Sequence, residues 1–534
     1  MKAFPKALLI GLCAYSSAFG QGYYDSAIRF GQTSIFGSTR SMGMGGVQMA
    51  IGADGAAGAV NPASPAMLRR SEIQFSLMPI FTTSNSTFLK NEISSTNSSA
   101  PVGSFSVALS NMKEDKETGD FRGGTFSLSY TRTAHNDYLS SWEGSHLLSP
   151  RPGDTLNSAA SGYNSLISYY LDNVNKPGLY PSDVLRGGPF GNGIDDIIMA
   201  YATYILDVNN NQFISVVPLG NVRQKGYWNQ SQSQSVWNFG YSFNWKDRIY
   251  VGANLGIYRG NTSDRLQYTE LQETVVVNPN NPNYSYLQGF KGFNFAIDKS
   301  LSQKAKGVNG NIGVLAKVTD GLRLAASVQF PTYNNMRETY DHKVTANYNG
   351  IPYWYNMSDP NDNLYKQDTT ALTNNYAWNL SIPARYRFGA SYIFGKSGMI
   401  GVDLEYTDLS KSKLKNGDGG YNFLDENAVI KSNYKSTLNV KVGGEFRVED
   451  FRIRLGYAWY PSPLKSGSPY TNNIPGDKHY FTGGLGWRYE SWFWDAAVVL
   501  GFWNTQYTYV PEVMPNVRSK INSTQIRIGA GFNF

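Results

Sequence analysis

The chain lacks most of what a soluble enzyme or a helical membrane protein uses. Its 534 residues contain one cysteine, Cys13, and four histidines. Without a second thiol there is no disulfide framework, and Ile10-Gly11-Leu12 before Cys13 is a poor lipobox, so no lipid anchor is expected. No Cys/His/Glu cluster has zinc-ligand spacing, and no nucleophile elbow is present. The reading is no enzyme, no metal and no cofactor. Charged residues make up only 16% of the chain. Mean hydropathy is −0.37, and beyond residue 20 no apolar run reaches the roughly 18 residues a spanning helix requires. A propeller would carry a blade-length repeat, and there is none. The formal charge of +7 comes with no basic cluster interleaved with aromatics, which argues against nucleic acid.

The first 20 residues read as a signal peptide. Lys2 and Lys6 precede an apolar run over residues 7–15, and Ala18-Phe19-Gly20 offers a small-x-small cleavage site.

Glycine and aromatics are abundant: 54 Gly, 37 Tyr, 28 Phe and 11 Trp. From about residue 72 onward, aromatic and aliphatic residues alternate with small polar ones. Trp237, Phe239, Tyr241, Phe243 and Trp245 alternate with Asn238, Gly240, Ser242 and Asn244, and after Lys246-Asp247-Arg248 comes Ile249, Val251, Ala253, Leu255 and Ile257. Period-two alternation gives one apolar and one polar face. Two such runs around a short turn form a hairpin. The unit recurs to Phe534, and fourteen strands are expected. An even number lets the first and last strands pair antiparallel, and closure leaves no unpaired edge in lipid. The expected fold is therefore all-β: a 14-stranded antiparallel transmembrane β-barrel over 72–534 with an N-terminal hatch over 21–71. Long connections are expected over 82–101, 134–234, 260–307, 332–375, 408–434, 461–477 and 510–520. The 134–234 loop is too long for plain coil. Tyr163, Leu166, Ile167, Tyr170 and Leu171, then Ile194, Ile198 and Tyr201, fall at helical spacing. They form either a cap on the barrel mouth or a docking groove for an apolar ligand.

Residues 41–63 read S-M-G-M-G-G-V-Q-M-A-I-G-A-D-G-A-A-G-A-V-N-P-A. Glycine-rich backbone packs closely and bends where other residues cannot, which fits a compact plug. Gly43, Gly45, Gly46, Ala50, Asp54, Asn61, Pro62 and Ala63 resemble the opening pattern of the FadL/TodX family of outer-membrane transport proteins, in its haemin-receptor-like branch. Ser381-Ile382-Pro383, Gly443-Gly444-Glu445, Arg454-Leu455-Gly456-Tyr457 and Gln329-Phe330-Pro331-Thr332 are similar to strand patterns of that family. The resemblance implies a barrel in the cell outer membrane. It implies passive, hatch-gated uptake of fatty-acid-like, aromatic or porphyrin molecules. The implied partners are the lipid bilayer, lipopolysaccharide and a hydrophobic ligand. The alternative is a protein-interaction barrel, a subunit of an outer-membrane secretion or assembly complex.

The candidate hatch residues are Gly43, Gly45, Gly46, Asp54, Asn61, Pro62 and Ala63. Strand parity places Lys317, Arg323, Arg385, Arg387, Asp403, Glu405, Lys441, Glu445, Arg452, Arg454 and Arg527 on the lumen face. Buried charges must be paired or solvated. A network holding the plug is the first reading, and an arginine site for a ligand carboxylate is the second. His135, His146, His342 and His479 are expected in loops or at strand ends, with no haem-ligand spacing. Asp359 and Asp362 depart from calcium-loop spacing. Gly123-Gly124 is the expected place for a wall kink.

Overall fold

The computed structural model describes residues 23–113, 119–146, 165–175, 180–185, 194–218, 220–275, 280, 287–352, 363–370, 374–417, 422–468, 474–508 and 515–534. The leader, Cys13, Tyr163, Asp359 and Asp362 lie outside them.

Fourteen antiparallel strands close into a barrel. They are β1 (Glu72–Leu77 and Ile80–Phe88), β2 (Asn91–Ser99 and Val102–Met112), β3 (Phe121–His146) and β4 (Val222–Trp245). Then come β5 (Ile249–Gln272), β6 (Asn294–Lys317), β7 (Leu322–Gln329 and Thr332–Pro352) and β8 (Asn374–Ile382 and Arg385–Phe394). The wall continues through β9 (Gly398–Asp408 and Lys413–Asn416), β10 (Ser436–Val448), β11 (Phe451–Tyr460) and β12 (Lys478–Tyr489). It ends with β13 (Trp492–Tyr507) and β14 (Val517–Asn533). The closing ladder pairs β14 with both parts of β1, from Glu72↔Asn533 to Thr87↔Arg518.

The outer face carries an apolar belt. On β5, Ile249, Leu255 and Ile257 are exposed, on β6 Val308, Ile312 and Val314, and on β13 Trp492, Trp494, Val498 and Leu500. The belt on β5 spans nine residues, the length at which a tilted strand crosses a bilayer (~9–11 residues). Among the described residues no helix is long and apolar enough to cross. The membrane is crossed by strands.

Strands β3 to β7 run far beyond the belt. The long connections expected from sequence are therefore shorter than their stated limits. Residues 82–101 form a hairpin that continues β1 into β2. Residues 134–146 and 222–234 pair as β3 and β4, and 260–272 with 294–307 as β5 and β6. Above the membrane the outer face meets water, so polar residues occupy both faces and the apolar alternation ends while the ladder continues.

Proline pairs interrupt the wall at two places, Pro79 with Pro101 and Pro331 with Pro383, because proline has no N–H to donate to a ladder. The break at Pro383 inverts the facing of β8. Trp378, Leu380 and Ile382 point into the barrel, whereas Tyr386 and Phe388 point to lipid. The even-numbered apolar residues from Trp378 to Ala390 therefore do not form a single face.

Candidate functional site: an occupied lumen and an open seam

Residues 23–71 lie inside the barrel and are buried almost throughout as far as Leu68. They form helices α1 (Asp25–Gly31) and α2 (Thr39–Gly43), then two 3-10 turns, Gly55–Ala59 and Ser64–Met67. Ser38 caps α2 by accepting from Ser41 N at 3.2 Å. Asp54 caps the first 3-10 turn, accepting from Ala56 N at 2.9 Å, and also accepts from Gln74 Nε2 on β1 at 2.7 Å.

The small residues of this segment sit where backbone meets wall. Gly45 has φ +69°, and a Cβ there would lie 2.7 Å from Val442 O and 2.8 Å from Tyr457 N. Its N–H donates to Thr482 Oγ1 at 2.8 Å, and that hydroxyl donates to Gly43 O at 3.1 Å. Gly46 follows, also at positive φ. Opposite them the wall supplies Gly443 and Gly456, both in contact with Met44. Asn61 Nδ2 donates to Met49 O at 3.0 Å and to Val314 O on β6 at 3.3 Å, and its Oδ1 accepts from Ala63 N at 3.1 Å. The Pro62 carbonyl presses on Gly252 of β5.

The lumen charges converge on this segment. Glu405 accepts from Arg385 at 3.2 Å and from Arg387 at 2.6 Å, while Arg385 also donates to Gly31 O. Asp403 accepts from the Gln48 and Met49 N–H groups at 2.8 and 3.0 Å. Glu445 accepts from Arg40 at 3.1 Å and from Arg454 at 2.7 Å. Arg323 donates to Ile51 O at 2.6 Å. Arg40, Asp264 and Asp495 were not singled out from sequence. Asp495 was legible, because its outward neighbours Trp494 and Ala496 force it inward; Asp264 lay in a stretch read as loop, where it pairs with Arg29. Arg527 makes none of these contacts: it is 1% exposed, and among the described residues its Nε and Nη1 have no hydrogen-bond partner.

Arg527 Nη1 lies against Gly103 of β2, just below an interruption of the wall. The β2–β3 ladder runs from Met112↔Gly123 to Ser104↔Thr131 and goes no further. Above it β3 pairs only with β4, through a register shift between Arg132 and Ala134. The upper part of β2 pairs only with β1. Among the described residues no backbone–backbone bond bridges the seam; side-chain groups cross it, Ser99 Oγ to His135 Nε2 at 2.8 Å, Ser95 Oγ to Ser141 Oγ at 3.1 Å, Asn91 Nδ2 to Glu143 O at 2.8 Å and Arg132 Nε to Val102 O at 2.9 Å. The N-terminal segment reaches the bulge, where Ser34 N donates to Thr133 O at 3.0 Å. Thr133 also lines a cavity with Phe30, Phe36, Tyr258, Asn309 and Arg387. Gly123, expected to mark the kink, does sit at a register shift in β3, but at its lower end and still on the ladder.

The upper barrel is filled by α3 (Leu166–Val174), α4 (Pro181–Leu185) and α5 (Ile194–Ala202). Leu166, Ile167, Tyr170 and Leu171 are buried in one cluster with Trp142 and Trp228 of the wall and Phe293 just before β6, with Tyr201 packed at the edge and Ile198 half-buried. Glu270 of β5 holds the start of α3, accepting from Leu166 N at 2.8 Å and Ser165 Oγ at 2.7 Å. Burial raises the Glu270 carboxyl above its ordinary value, while these donors oppose the rise. His342 lies within β7 and His135 within β3, not at strand ends. His342 Nε2 is 3.1 Å from Asp196 of α5. Burial, with Lys299 nearby, lowers the imidazole to about 4.

A crystal structure of a Pseudomonas aeruginosa FadL homologue aligns over 94% of this chain and 100% of its own, with TM-score 0.53 and 13% identity. The Pseudomonas putida toluene transporter TodX aligns over 94% and 99%, with TM-score 0.50 and 12% identity. The chain has the fold of FadL and TodX. No family model matches the sequence, and no curated protein matches it. A closed antiparallel barrel with an apolar belt is an outer-membrane architecture, and one of the two matched structures, TodX, is a toluene transporter.

Proposed function

We propose that the barrel is an outer-membrane channel for passive passage of hydrophobic or amphipathic small molecules, and that they cross its wall at the β2–β3 seam. The observation that carries this reading is the loss of the ladder above Ser104↔Thr131. A wall without backbone hydrogen bonds is the cheapest place to part strands, since only side-chain contacts are broken. The seam begins at the upper margin of the belt, where an apolar solute concentrates. The N-terminal segment acts as the hatch: it touches the bulge through Ser34, and lumen charges hold it in place. Arg527 is a buried lumen cation whose Nε and Nη1 have no acceptor among the described residues, and it lies just below the seam, so it is the group that meets the head of an amphipathic acid.

The test is flux of an apolar fluorophore into liposomes holding the purified full chain. Faster entry than into empty liposomes is expected. Background flux, with stoichiometric partner proteins retained from the native membrane, would overturn the channel and move the function to a secretion or assembly complex.

A further inference from the structure

The outer face just above the belt carries four cations in one patch. Arg259 on β5 stands opposite Lys306 on β6, and Lys304 on β6 stands opposite Arg337 on β7. Asn261 and Asn335 complete the two rows, at Asn261↔Lys304 and Lys306↔Asn335. All six are exposed. Directly below them lie Ile257, Val308 and Tyr333, the uppermost residues of the apolar belt on these strands. Neighbouring strands are about 4.8 Å apart and alternate residues about 6.7 Å apart along a strand. The four charges thus occupy a patch about 10 by 7 Å.

None of the four has an ion-pair partner among the described residues. The carboxylates nearby are committed elsewhere. Asp264 turns inward to Arg29, and Glu338 accepts from Gln303 at 2.7 Å. Further above the belt Arg265 is neutralised by Asp298 at 2.8 Å. Like charges left together on a strand face repel, so an uncompensated quartet at one height, beside a compensated arginine, points to an external anion.

We propose that Arg259, Lys304, Lys306 and Arg337 bind the phosphate groups of a phosphorylated glycolipid headgroup in the outer leaflet. The height selects a lipid: the patch begins where the apolar belt ends, at the level of headgroups. The two arginines give planar, bidentate recognition of phosphate and the two lysines give point charges. The site rests on the reading of the chain as a membrane-spanning barrel, but not on any transport activity.

Native mass spectrometry of the full chain in nonionic detergent, with added diphosphorylated lipid A, tests this. The dephosphorylated lipid and inorganic pyrophosphate serve as comparison probes. Retention of the diphosphorylated lipid should exceed that of the dephosphorylated one at least tenfold. The combined variant Arg259→Gln, Lys304→Gln, Lys306→Gln, Arg337→Gln should lose that preference, while Arg518→Gln with Lys520→Gln, also exposed on the outer wall, should keep it. A heat-dependent gel shift confirms that each variant is a closed barrel, and the four single substitutions replace the combined variant if it does not fold. Equal retention by the quartet variants and the unaltered chain would overturn the site. Pyrophosphate competing as well as the lipid would overturn the lipid assignment, and failed flux in liposomes would leave this result unaffected.

Discussion

Ser99 Oγ lies 2.8 Å from His135 Nε2, across a boundary where two neighbouring strands of a closed barrel share no backbone ladder. Alternate N–H groups of a strand point to opposite neighbours. Between residues 134 and 146, the β3 amides facing β4 should therefore be protected and those facing β2 should exchange rapidly. Residue-resolved hydrogen exchange reads this directly. Uniform protection along that stretch would mean that the ladder is complete in solution.

Gly45 lies where two backbones meet. Substituting Gly45→Ala would force a Cβ against Val442 O and Tyr457 N at a positive φ. Overpacking of this kind costs about 1–3 kcal/mol. It should fall on the docking of residues 23–71 rather than on the barrel. Limited proteolysis from the periplasmic side should cut this segment earlier in the variant, while the barrel keeps its melting temperature.

His342 makes the packing of α5 depend on pH. Its folded value is lowered to about 4 from 6.5, so the unfolded chain binds the proton more readily. The stabilisation is complete above pH 6.5 and is lost as pH falls from 6.5 toward about 4. Exchange over residues 194–202, corrected for intrinsic rates, should rise through that window. His342→Gln should flatten the response.

Arg527 is buried, with no acceptor for Nε or Nη1 among the described residues. Removing an unpaired buried charge relieves a desolvation cost. Arg527→Leu should therefore raise the melting temperature of the empty barrel. Flux of an anionic amphiphile should fall in the same variant while flux of a neutral aromatic holds. Equal loss of both would assign Arg527 to wall structure alone.

The fourteen strands were legible because lipid imposes an apolar outer face on every crossing, from Ile73 and Phe75 to Ile526 and Ile528. The upper reaches of β3 to β6 were not, since Ser231, Gln232, Ser233 and Gln234 meet water or lumen on both sides and carry no alternation. Parity put Arg385, Arg387, Asp403, Glu405 and Glu445 on the inward face, and they are buried, but their partners Arg40, Gln48 and Met49 come from a segment with no period to read. The seam is a missing pairing, and a single strand's pattern does not encode its neighbour. Its one sequence signal is the proline pair: Met78 N donates to Pro101 O at 3.0 Å, so Pro79 and Pro101 break adjoining strands at one level. Pro331 and Pro383 do the same on β7 and β8, yet there the ladders resume on both sides.

The most direct test of passage through the seam is to close it. Ser99→Cys with His135→Cys places a thiol on each side, and the only natural cysteine, Cys13, precedes the barrel. Flux of the apolar fluorophore into liposomes is then compared in the oxidised and reduced states of the same preparation. Passage through the seam requires flux to fall to background when the bond forms and to return on reduction. Equal flux in both states, with the cross-link confirmed by mass, would contradict it.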